Sequence, residues 1–482
     1  MDNADLFLAE AADLLGERGF TRDREIIEPW LTDWRGRFKG EALGMASPAS
    51  TEEVATFVRL CARHSVPIVP QGGNSGMSGG ATPDASGTTV LLSLRRMNRI
   101  RSLDNDAGEV TCEAGVILQD LHEAAEERRL RFPLTLGGKG SATVGGLVST
   151  NAGGTQVLRH GTMRNQVLGL EAVMADGSVL DTLTPLKKDN RGFDLKQVLI
   201  GSEGTLGIVT AATLRLLPEI GERKVIWVGQ NSLQDARRLL LHFQNLAGDS
   251  LEGFEVIPAH SLAAVIDHLP YARSPVEGKH AWHALIELTS KAGETEALGA
   301  LAEEILGKAL DLGILNDAVI AANETQAEDF WLLRESIAPA ERAIGPAMQH
   351  DISVSVSRMA DFVDEISPTI EKRFPGTKAV AFGHLGDGNV HFHVLAPSGS
   401  TGGEWEHTQG KEISSYVHDL VTEWGGSISA EHGIGQIKRT ELGRLGDPVA
   451  LALMRSIKQA LDPNGLLNPG KLVPLAQEGS TP

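Results

Sequence analysis

Glycine is concentrated in three short segments in the first half of the chain, and this clustering limits the folds available to it. The 482-residue sequence has 54 glycines, with clusters at residues 71–80, 137–154 and 201–207. Glycine does not recur at every third position, which excludes a collagen helix. Hydrophobic residues make up 41% of the chain, which excludes a low-complexity sequence. The clusters therefore indicate places where the backbone approaches another group closely.

Apolar periodicity predicts short strands and helices around and beyond these clusters. A capping box, Ser50-x-x-Glu53, begins a helix whose apolar residues recur at positions 54, 57, 58 and 61. In the first half we predict strands at 66–69, 88–94, 109–114, 167–174, 179–183 and 208–217, and a helix at 118–129. In the second half we predict strands at 224–228, 281–288 and 352–356, a hairpin at 379–394, and helices at 233–246, 294–310, 328–342, 359–372 and 448–461. The second half resembles a ferredoxin-like α+β layer.

The charge and the cysteines exclude several classes of protein. The chain has 63 acidic and 44 basic residues, a formal net charge of −19, so binding of nucleic acid or anionic lipid is not expected. Cys61 and Cys112 are far apart among apolar neighbours, and we expect both to be buried without a disulfide. The first 20 residues are acidic where a signal peptide is basic, and they contain no long apolar run. We expect a cytoplasmic protein without an integral membrane segment.

The glycine clusters do not match the common nucleotide-binding fingerprints. Gly73, Gly76 and Gly79 form G-x-x-G-x-x-G rather than G-x-G-x-x-G, and Lys139 lacks the context of a Walker A loop. A single glycine loop is more often a plain turn. Three such loops with little charge favour a bound dinucleotide, because exposed N–H groups can hold a diphosphate.

A second motif, at residues 383–394, brings histidines together. Asp387 and Gly388 predict a turn between two apolar strands, so that His384 and His391 lie close across a hairpin. On the return strand His391 and His393 share one face, opposite Val390, Phe392 and Val394. With Glu431 from a later segment, the two histidines could form a Zn²⁺ site with an open position, and Mn²⁺ would fit as well. The alternative to a metal site is a pair of histidines that form hydrogen bonds with the backbone, with Glu431 in a salt bridge.

Four segments resemble a known family. Residues 70–76 (PQGGNSG), 143–154 (TVGGLVSTNAGG) and 201–209 (GSEGTLGIV) are similar to the FAD-binding domain of the vanillyl-alcohol oxidase/p-cresol methylhydroxylase (PCMH) superfamily. Residues 461–471 (LDPNGLLNPGK) are similar to its closing motif. The resemblance implies an α+β fold with four parts. These are an N-terminal helical segment at 1–40, a PCMH-type FAD-binding domain of two subdomains at 41–219, an α+β cap domain with an antiparallel sheet at 220–430, and a C-terminal helical segment at 431–482 that returns to the FAD domain.

The same resemblance implies which residues bind FAD. Covalent members carry a histidine in the first loop, and Asn74 in this chain implies non-covalent FAD. The implied cofactor-binding residues are Pro70, Gln71, Gly72, Gly73, Asn74, Ser75, Gly76, Gly137, Thr143, Gly145, Gly146, Ser149, Asn151, Gly153, Gly154, Glu203, Gly204, Gly207, Ile208 and Asn468.

The second half is similar to D-2-hydroxyglutarate dehydrogenases. This implies His384, His391 and Glu431 as metal ligands and His432 as the catalytic base. The implied reaction oxidises a D-2-hydroxy acid to the 2-oxo acid, with the metal acidifying the hydroxyl and a hydride passing to flavin N5. Related D-lactate and glycolate dehydrogenases, which act on smaller substrates, are the alternative.

Substrate-binding positions show departures from this pattern. The resemblance implies Arg334 as a clamp for the substrate carboxylate, whereas a solvated helix arginine paired with Glu335 or Glu341 is equally compatible with the sequence. The family's threonine and lysine are replaced here by Ala338 and Gln349, and its asparagine by His393. These differences put the pocket for a distal carboxylate in doubt.

Two other functions fit part of the sequence. A metal-dependent hydrolase would use the histidines and Glu431 but leaves the glycine loops unexplained, and a non-catalytic assembly subunit would not need the base. No nicotinamide motif is present, so we expect an electron-transfer flavoprotein, a quinone or a dye as acceptor. The resemblance further suggests a homodimer.

Overall fold

The computed structural model describes residues 3–293 and 298–474, which form two compact units. The first unit contains the described residues up to 154, then 160–218, and those from 431 onward. The second contains Thr155–Arg159 and Glu219–Ala430. The chain thus leaves the first unit and later returns to it.

A four-stranded sheet carries the N-terminal part of the first unit. Its elements are α1 (Asn3–Gly19), β1 (Phe20–Thr21), α2 (Arg24–Ile27), β2 (Met45–Ala46), α3 (Thr51–His64), β3 (Ile68–Gln71) and β4 (Val90–Ser93). The strand order is β1-β2-β4-β3, with β2 and β3 parallel to β4. Ser50 caps α3 by accepting the Glu53 N–H at 3.2 Å, and the Glu53 carboxylate accepts the Ala49 N–H at 2.7 Å. The predicted helix start is therefore confirmed.

The next part of the chain forms a five-stranded antiparallel sheet, ordered β5-β6-β10-β8-β9. The elements up to residue 218 are β5 (Ile100–Asp104), β6 (Glu109–Glu113), α4 (Leu118–Glu126), β7 (Leu130–Arg131), α5 (Val144–Thr150), α6 (Val157–His160), α7 (Met163–Gln166), β8 (Val167–Val173), β9 (Val179–Thr182), α8 (Lys196–Leu199), β10 (Ile208–Arg215) and β11 (Leu217–Pro218). Cys61 and Cys112 are buried and free, as predicted.

The second unit is a seven-stranded antiparallel sheet with helices on both faces. Its elements are β12 (Ile220–Gln230), α9 (Leu233–Ala247), β13 (Leu251–Pro258), α10 (Ala259–His268), β14 (Trp282–Lys291), α11 (Leu298–Asp311), β15 (Asp317–Ile320), α12 (Glu324–Glu335), α13 (Ile337–Ile344), β16 (Ala347–Ser353), α14 (Met359–Arg373), β17 (Lys378–His384), β18 (Asn389–Leu395), α15 (Glu404–His407) and α16 (Gln409–Glu423). The strand order is β15-β12-β14-β13-β17-β18-β16. One hydrophobic core packs α9, α11, α14 and α16 against the sheet, and a second packs α10, α12 and α13 on the other face.

Several predicted elements of this unit differ in extent. The helix predicted at 328–342 is two helices, α12 and α13, because Pro339 has no N–H to continue the hydrogen bonding across Ser336. The strand predicted at 352–356 lies at Ala347–Ser353. Residues 294–297 of the helix predicted at 294–310 lie outside the described residues. Strand β13 was missed because Glu252 and Glu255 interrupt its apolar pattern, although both are buried and ion-paired.

The chain returns to the first unit after Ala430. It forms α17 (Arg439–Leu445) and then α18 (Pro448–Leu461), whose first turn is capped by Asp447. Beyond α18, the Ile68 N–H donates to the Leu466 carbonyl and the Asn468 N–H donates to the Ile68 carbonyl, each at 2.8 Å. None of the helices within the described ranges has both the length and the apolar character needed to cross a membrane.

Candidate active site

The first and second glycine loops lie against each other within the first unit. A Cβ on Gly72 would lie 2.2 Å from the Thr143 hydroxyl oxygen, and one on Gly73 would lie 1.6 Å from the Ser141 carbonyl oxygen. Only glycine allows backbone to approach this closely. The glycines that follow β3 thus bring the predicted cofactor loops together.

The loops have features that fit a bound cofactor. The side-chain oxygen atoms Gln71 Oε1, Thr143 Oγ1 and Asn468 Oδ1 are buried and have no hydrogen-bond partner within the described part of the chain. A Cβ on Gly76 or Gly137 would meet nothing within 4 Å. Buried polar atoms without partners are groups that a polar ligand such as FAD would satisfy.

Several polar residues predicted to bind the cofactor hold the loops in place. Gln71 donates to the carbonyls of Trp30 and Ala81 at 3.0 and 2.9 Å. The Asn74 amide donates to the Thr32 carbonyl at 2.9 Å.

Two further asparagines act in the same way. Asn151 accepts from Thr162 and from the Arg164 N–H at 2.9 and 3.0 Å. Asn468 donates to the carbonyls of Gly80 and Glu203 at 2.9 and 2.7 Å.

The other predicted cofactor residues lie on nearby elements of the first unit. Pro70 is in β3, and Gly145, Gly146 and Ser149 lie in α5. Glu203 and Gly204 follow α8, and Ile208 begins β10 directly after Gly207. The remaining members, Ser75, Gly153 and Gly154, lie in the first and second loops.

The segment that carries His432 is bound to the glycine loops. The Ser78 hydroxyl lies 2.8 Å from the His432 carbonyl oxygen and 3.1 Å from that of Gly433. The Glu203 carboxylate accepts the N–H groups of Ile434 and Gly435 at 2.7 and 2.8 Å, and burial raises its pKa. Loops separated by more than 200 residues in sequence therefore fix the backbone around His432.

In the second unit, a hairpin presents the predicted histidines. Gly388, at φ 84°, lies where a Cβ would be 2.1 Å from the Val354 carbonyl oxygen, and its N–H donates to the His384 carbonyl at 3.0 Å. Val390, Phe392 and Val394 pack into the core with α9, α11, α14 and α16. His391 and His393 point to the other face, as the alternation predicted.

His384 and His391 form a close pair. Their ring centroids are 5.5 Å apart, and ligand nitrogen atoms of the two rings lie within 4.8 Å of each other. Burial, followed by the charge of Arg334, holds the pKa of His391 well below its usual value. A neutral imidazole is the form that binds a metal ion, so this donor pair fits a divalent cation such as Zn²⁺.

Glu255 contacts two of the predicted site residues, and the sequence did not identify it. Its carboxylate lies 2.8 Å from Arg334 Nε through one oxygen and 2.5 Å from His384 Nδ1 through the other. These two partners hold the Glu255 pKa well below its usual value although the residue is fully buried. Arg334 is therefore paired with Glu255 rather than with Glu335 or Glu341. The available sequence signal was one charged residue among the apolar residues at 254–258.

A second buried carboxylate contacts His393. Glu341, in α13, lies 2.5 Å from His393 Nδ1 through Oε2. Gln349 pairs with His393 in the β16–β18 register, and Ala338 lies in α13. The three positions that depart from the family pattern are thus on neighbouring elements.

Glu431 follows the second unit directly in the chain. The N–H of Ala430 donates to the Asp351 carbonyl at 3.3 Å, and Asp351 pairs with His391 in the β16–β18 register.

Comparison with known proteins identifies the family. A model described as the FAD binding domain matches residues 42–183, and one described as FAD linked oxidases, C-terminal domain, matches residues 221–472. The D-2-hydroxyglutarate dehydrogenase of Arabidopsis thaliana mitochondria is 37% identical over 96% of this chain and 80% of its own length. The enzyme of the same name from Xanthomonas citri pv. viticola is 36% identical over 92% of each chain. A putative mitochondrial D-lactate dehydrogenase of Schizosaccharomyces pombe is 31% identical over 94% of this chain and 85% of its own.

Solved structures confirm the fold. p-Cresol methylhydroxylase has a TM-score of 0.72 at 17% identity, covering 97% of this chain and 96% of its own. Alkyldihydroxyacetonephosphate synthase has a TM-score of 0.74 at 17% identity, covering 97% and 85%. The expected PCMH-type α+β fold is therefore confirmed. Because one family model covers residues 221–472 and the named relatives align along nearly the whole chain, the protein belongs to the family of FAD-linked oxidases.

Proposed function

We propose that the protein is an FAD- and divalent-metal-dependent dehydrogenase that oxidises a D-2-hydroxy acid to the 2-oxo acid. The observation that carries this proposal is the binding of the His432 backbone by Ser78 and the anchoring of the adjacent residues by Glu203. These contacts support a role for His432 beside the loops predicted to bind FAD. The relatives named D-2-hydroxyglutarate and D-lactate dehydrogenase support the substrate class.

His432 is the proposed base. When bound, FAD would accept the hydride and the metal would acidify the substrate hydroxyl. An imidazole titrates near neutral pH and can take the hydroxyl proton. The fixed backbone at residues 432–435 limits the movement of this ring, which favours a defined position for proton transfer.

His384, His391 and Glu431 are the proposed metal ligands. The close pair of buried histidines supports two nitrogen donors, and the low pKa of His391 favours the neutral form of that ring. Glu431, which follows Ala430 directly in the chain, is the proposed third ligand because the family resemblance implies it. Two histidines and one carboxylate favour Zn²⁺, with Mn²⁺ as the alternative.

Arg334 is the proposed partner of the substrate carboxylate, with Gln349 and His393 near the substrate side chain. Glu255 contacts Arg334 through Nε. The substrate carboxylate would instead meet the two terminal nitrogen atoms of the guanidinium. The contact between Glu341 and His393 favours a second candidate, a dehydrogenase of smaller D-2-hydroxy acids such as lactate. A distal substrate carboxylate near His393 would be repelled by the charge of Glu341.

The remaining proposals concern partners. We retain an electron-transfer flavoprotein or quinone as acceptor, and a homodimer as the assembly. The Arabidopsis relative is named as mitochondrial, so the cytoplasmic location expected from the sequence stays a prediction.

Anaerobic reduction of the bound flavin tests the function. The purified full-length protein is expected to be yellow and to bleach with D-2-hydroxy acids but not with their L-enantiomers. The rates of flavin reduction by a series of D-2-hydroxy acids, from lactate to 2-hydroxyglutarate, show which of the two candidate substrates is preferred. A flavin-free protein with metal-dependent hydrolysis would support the hydrolase instead. Bound flavin that no 2-hydroxy acid reduces would support a non-catalytic subunit.

A further inference from the structure

One buried carboxylate joins the proposed metal ligand His384 to the proposed substrate clamp Arg334. We propose that Glu255 is a positioning residue for both, a role that rests on the proposed function. Glu255 has no solvent exposure, and its two oxygen atoms are divided between His384 Nδ1 and Arg334 Nε. A single side chain thereby sets the orientation of two different groups.

The contact with His384 determines which nitrogen faces a metal ion. A carboxylate next to Nδ1 favours the hydrogen on that atom, so Nε2 carries the lone pair. Glu255 and His384 are also register partners of the antiparallel strands β13 and β17, which fixes the distance between their backbones. The Glu255 carboxylate, 2.5 Å from Nδ1, would therefore favour one tautomer of the His384 ring when a metal ion is bound.

The contact with Arg334 comes from a different side of the guanidinium. Glu255 occupies Nε, while the Arg334 guanidinium lies 5.1 Å from the centre of the Phe382 ring. Two contacts of this kind restrict rotation of a long side chain that would otherwise lose conformational entropy when it binds a ligand.

The charge of Glu255 also matters for a bound cation. The Arg334 guanidinium lies 5.1 Å from the centre of the Phe382 ring, and the His391 ring lies 5.2 Å from that same ring on its own strand pair. With Glu255 neutralised, the positive charge of Arg334 would lack its buried counter-charge and would oppose a metal ion at the histidines. If Glu255 and Arg334 formed only a structural ion pair, neutralising Glu255 would change folding stability and leave metal affinity unchanged.

Glu287 provides a matched control. It is a carboxylate on β14, on the same face of the sheet, and it pairs with Arg223 at 2.8 Å and accepts from the Trp331 indole at 2.8 Å. Glu287→Gln therefore removes a buried, arginine-paired charge from the same sheet without touching a histidine of the site.

The test compares full-length Glu255→Gln and Glu287→Gln proteins that hold FAD. Zn²⁺ and Mn²⁺ affinities are measured by competition with a chromogenic chelator, and KM and kcat are measured with the D-2-hydroxy acid that reduces the wild-type flavin best. We expect Glu255→Gln to weaken metal binding by roughly 10- to 100-fold and to raise KM, with flavin content unchanged. Glu287→Gln is expected to keep wild-type metal affinity.

Glu255→Asp gives a second measurement that keeps the charge and shortens the side chain. We expect its metal affinity to lie between those of the wild type and Glu255→Gln, and it serves as the test variant where Glu255→Gln fails to fold. Wild-type metal affinity and KM in a folded Glu255 variant would overturn the positioning role. A wild-type protein that binds neither metal would refute the metal site together with this role, whereas flavin reduction by a 2-hydroxy acid would still support the dehydrogenase.

Discussion

The Glu341 carboxylate lies 2.5 Å from Nδ1 of His393, and both side chains are buried on the same side of the second unit's sheet. The other carboxylate oxygen of Glu341 has no hydrogen-bond partner within residues 3–293 and 298–474. A buried carboxylate with unused acceptor capacity favours a ligand that donates a hydrogen bond and disfavours a second anion.

Neutralising this carboxylate should therefore change substrate preference. For Glu341→Gln we expect kcat/KM for D-2-hydroxyglutarate to rise relative to that for D-lactate by roughly tenfold, equivalent to about 1.4 kcal/mol. Steady-state kinetics with both substrates measure the ratio. Glu335→Gln, on the exposed end of α12, is the control and should leave the ratio as it is. An unchanged ratio in Glu341→Gln would show that Glu341 does not face the substrate side chain.

Removing the proposed base should separate chemistry from cofactor binding. His432→Gln is expected to keep wild-type flavin content while flavin reduction slows by roughly 10²–10⁴-fold. Ser78 and Glu203 hold this segment through its backbone, so the substitution should leave the loops in place. Stopped-flow reduction by a D-2-hydroxy acid measures the rate, with the exposed His407→Gln as control. Reduction at the wild-type rate would remove His432 from the mechanism.

Removing the metal should stop turnover without releasing FAD. Chelation is expected to abolish activity, and added Zn²⁺ or Mn²⁺ should restore it in the wild type. In His391→Ala, one of the two proposed nitrogen donors is missing, so restoration should require far higher metal concentrations. His283→Gln, in the same sheet but outside the histidine pair, should be restored like the wild type. Full activity in a preparation shown to be metal-free would contradict the site.

The first glycine loop should not tolerate a side chain at Gly73, where it lies closest to the second glycine loop. A Cβ on Gly73 would lie 1.6 Å from the Ser141 carbonyl oxygen, so Gly73→Ala must separate two of the predicted FAD loops. We expect a large loss of bound flavin, measured as the ratio of absorbance at the flavin band to that at the protein band. Gly307→Ala, in α11, meets nothing within 4 Å and should keep its flavin. Normal flavin content in Gly73→Ala would exclude this packing.

One buried histidine should make the second unit sensitive to acid. Burial, followed by the charge of His280, lowers the pKa of His283 from 6.5 to about 4, and the Trp227 indole donates to His283 Nδ1 at 3.1 Å. The unfolded chain therefore binds more protons than the folded one between these two values. Stability should fall as the pH drops from 6.5 to 4, by about 3 kcal/mol from this residue.

Urea unfolding followed by circular dichroism at pH 4.5 and pH 7 measures this effect. His283→Gln keeps an acceptor for the indole but cannot bind the proton, so its stability should depend less on pH. An equal loss in both proteins would assign the acid sensitivity to other groups.

The sequence by itself determined the local features of this protein. The glycine clusters, the Ser50 cap, the Asp387-Gly388 turn and the alternation of His391 and His393 against Val390 and Phe392 depend on residues close together in the chain. Their physical basis is steric freedom at glycine, local hydrogen bonding and the two-residue period of a strand. Motif similarity then gave the family and the expected cofactor.

The tertiary structure decided which distant residues share an environment. The sequence did not identify Glu255, and it offered Glu341 only as a partner of Arg334, because an isolated glutamate has no periodic signal and its role depends on the partners that folding supplies. Glu255 contacts His384 only because β13 and β17 are neighbours in the sheet, and Glu341 contacts His393 only because α13 packs on that face. Charged groups are buried where the fold provides a counter-charge, and that pairing is a property of three-dimensional packing rather than of sequence spacing.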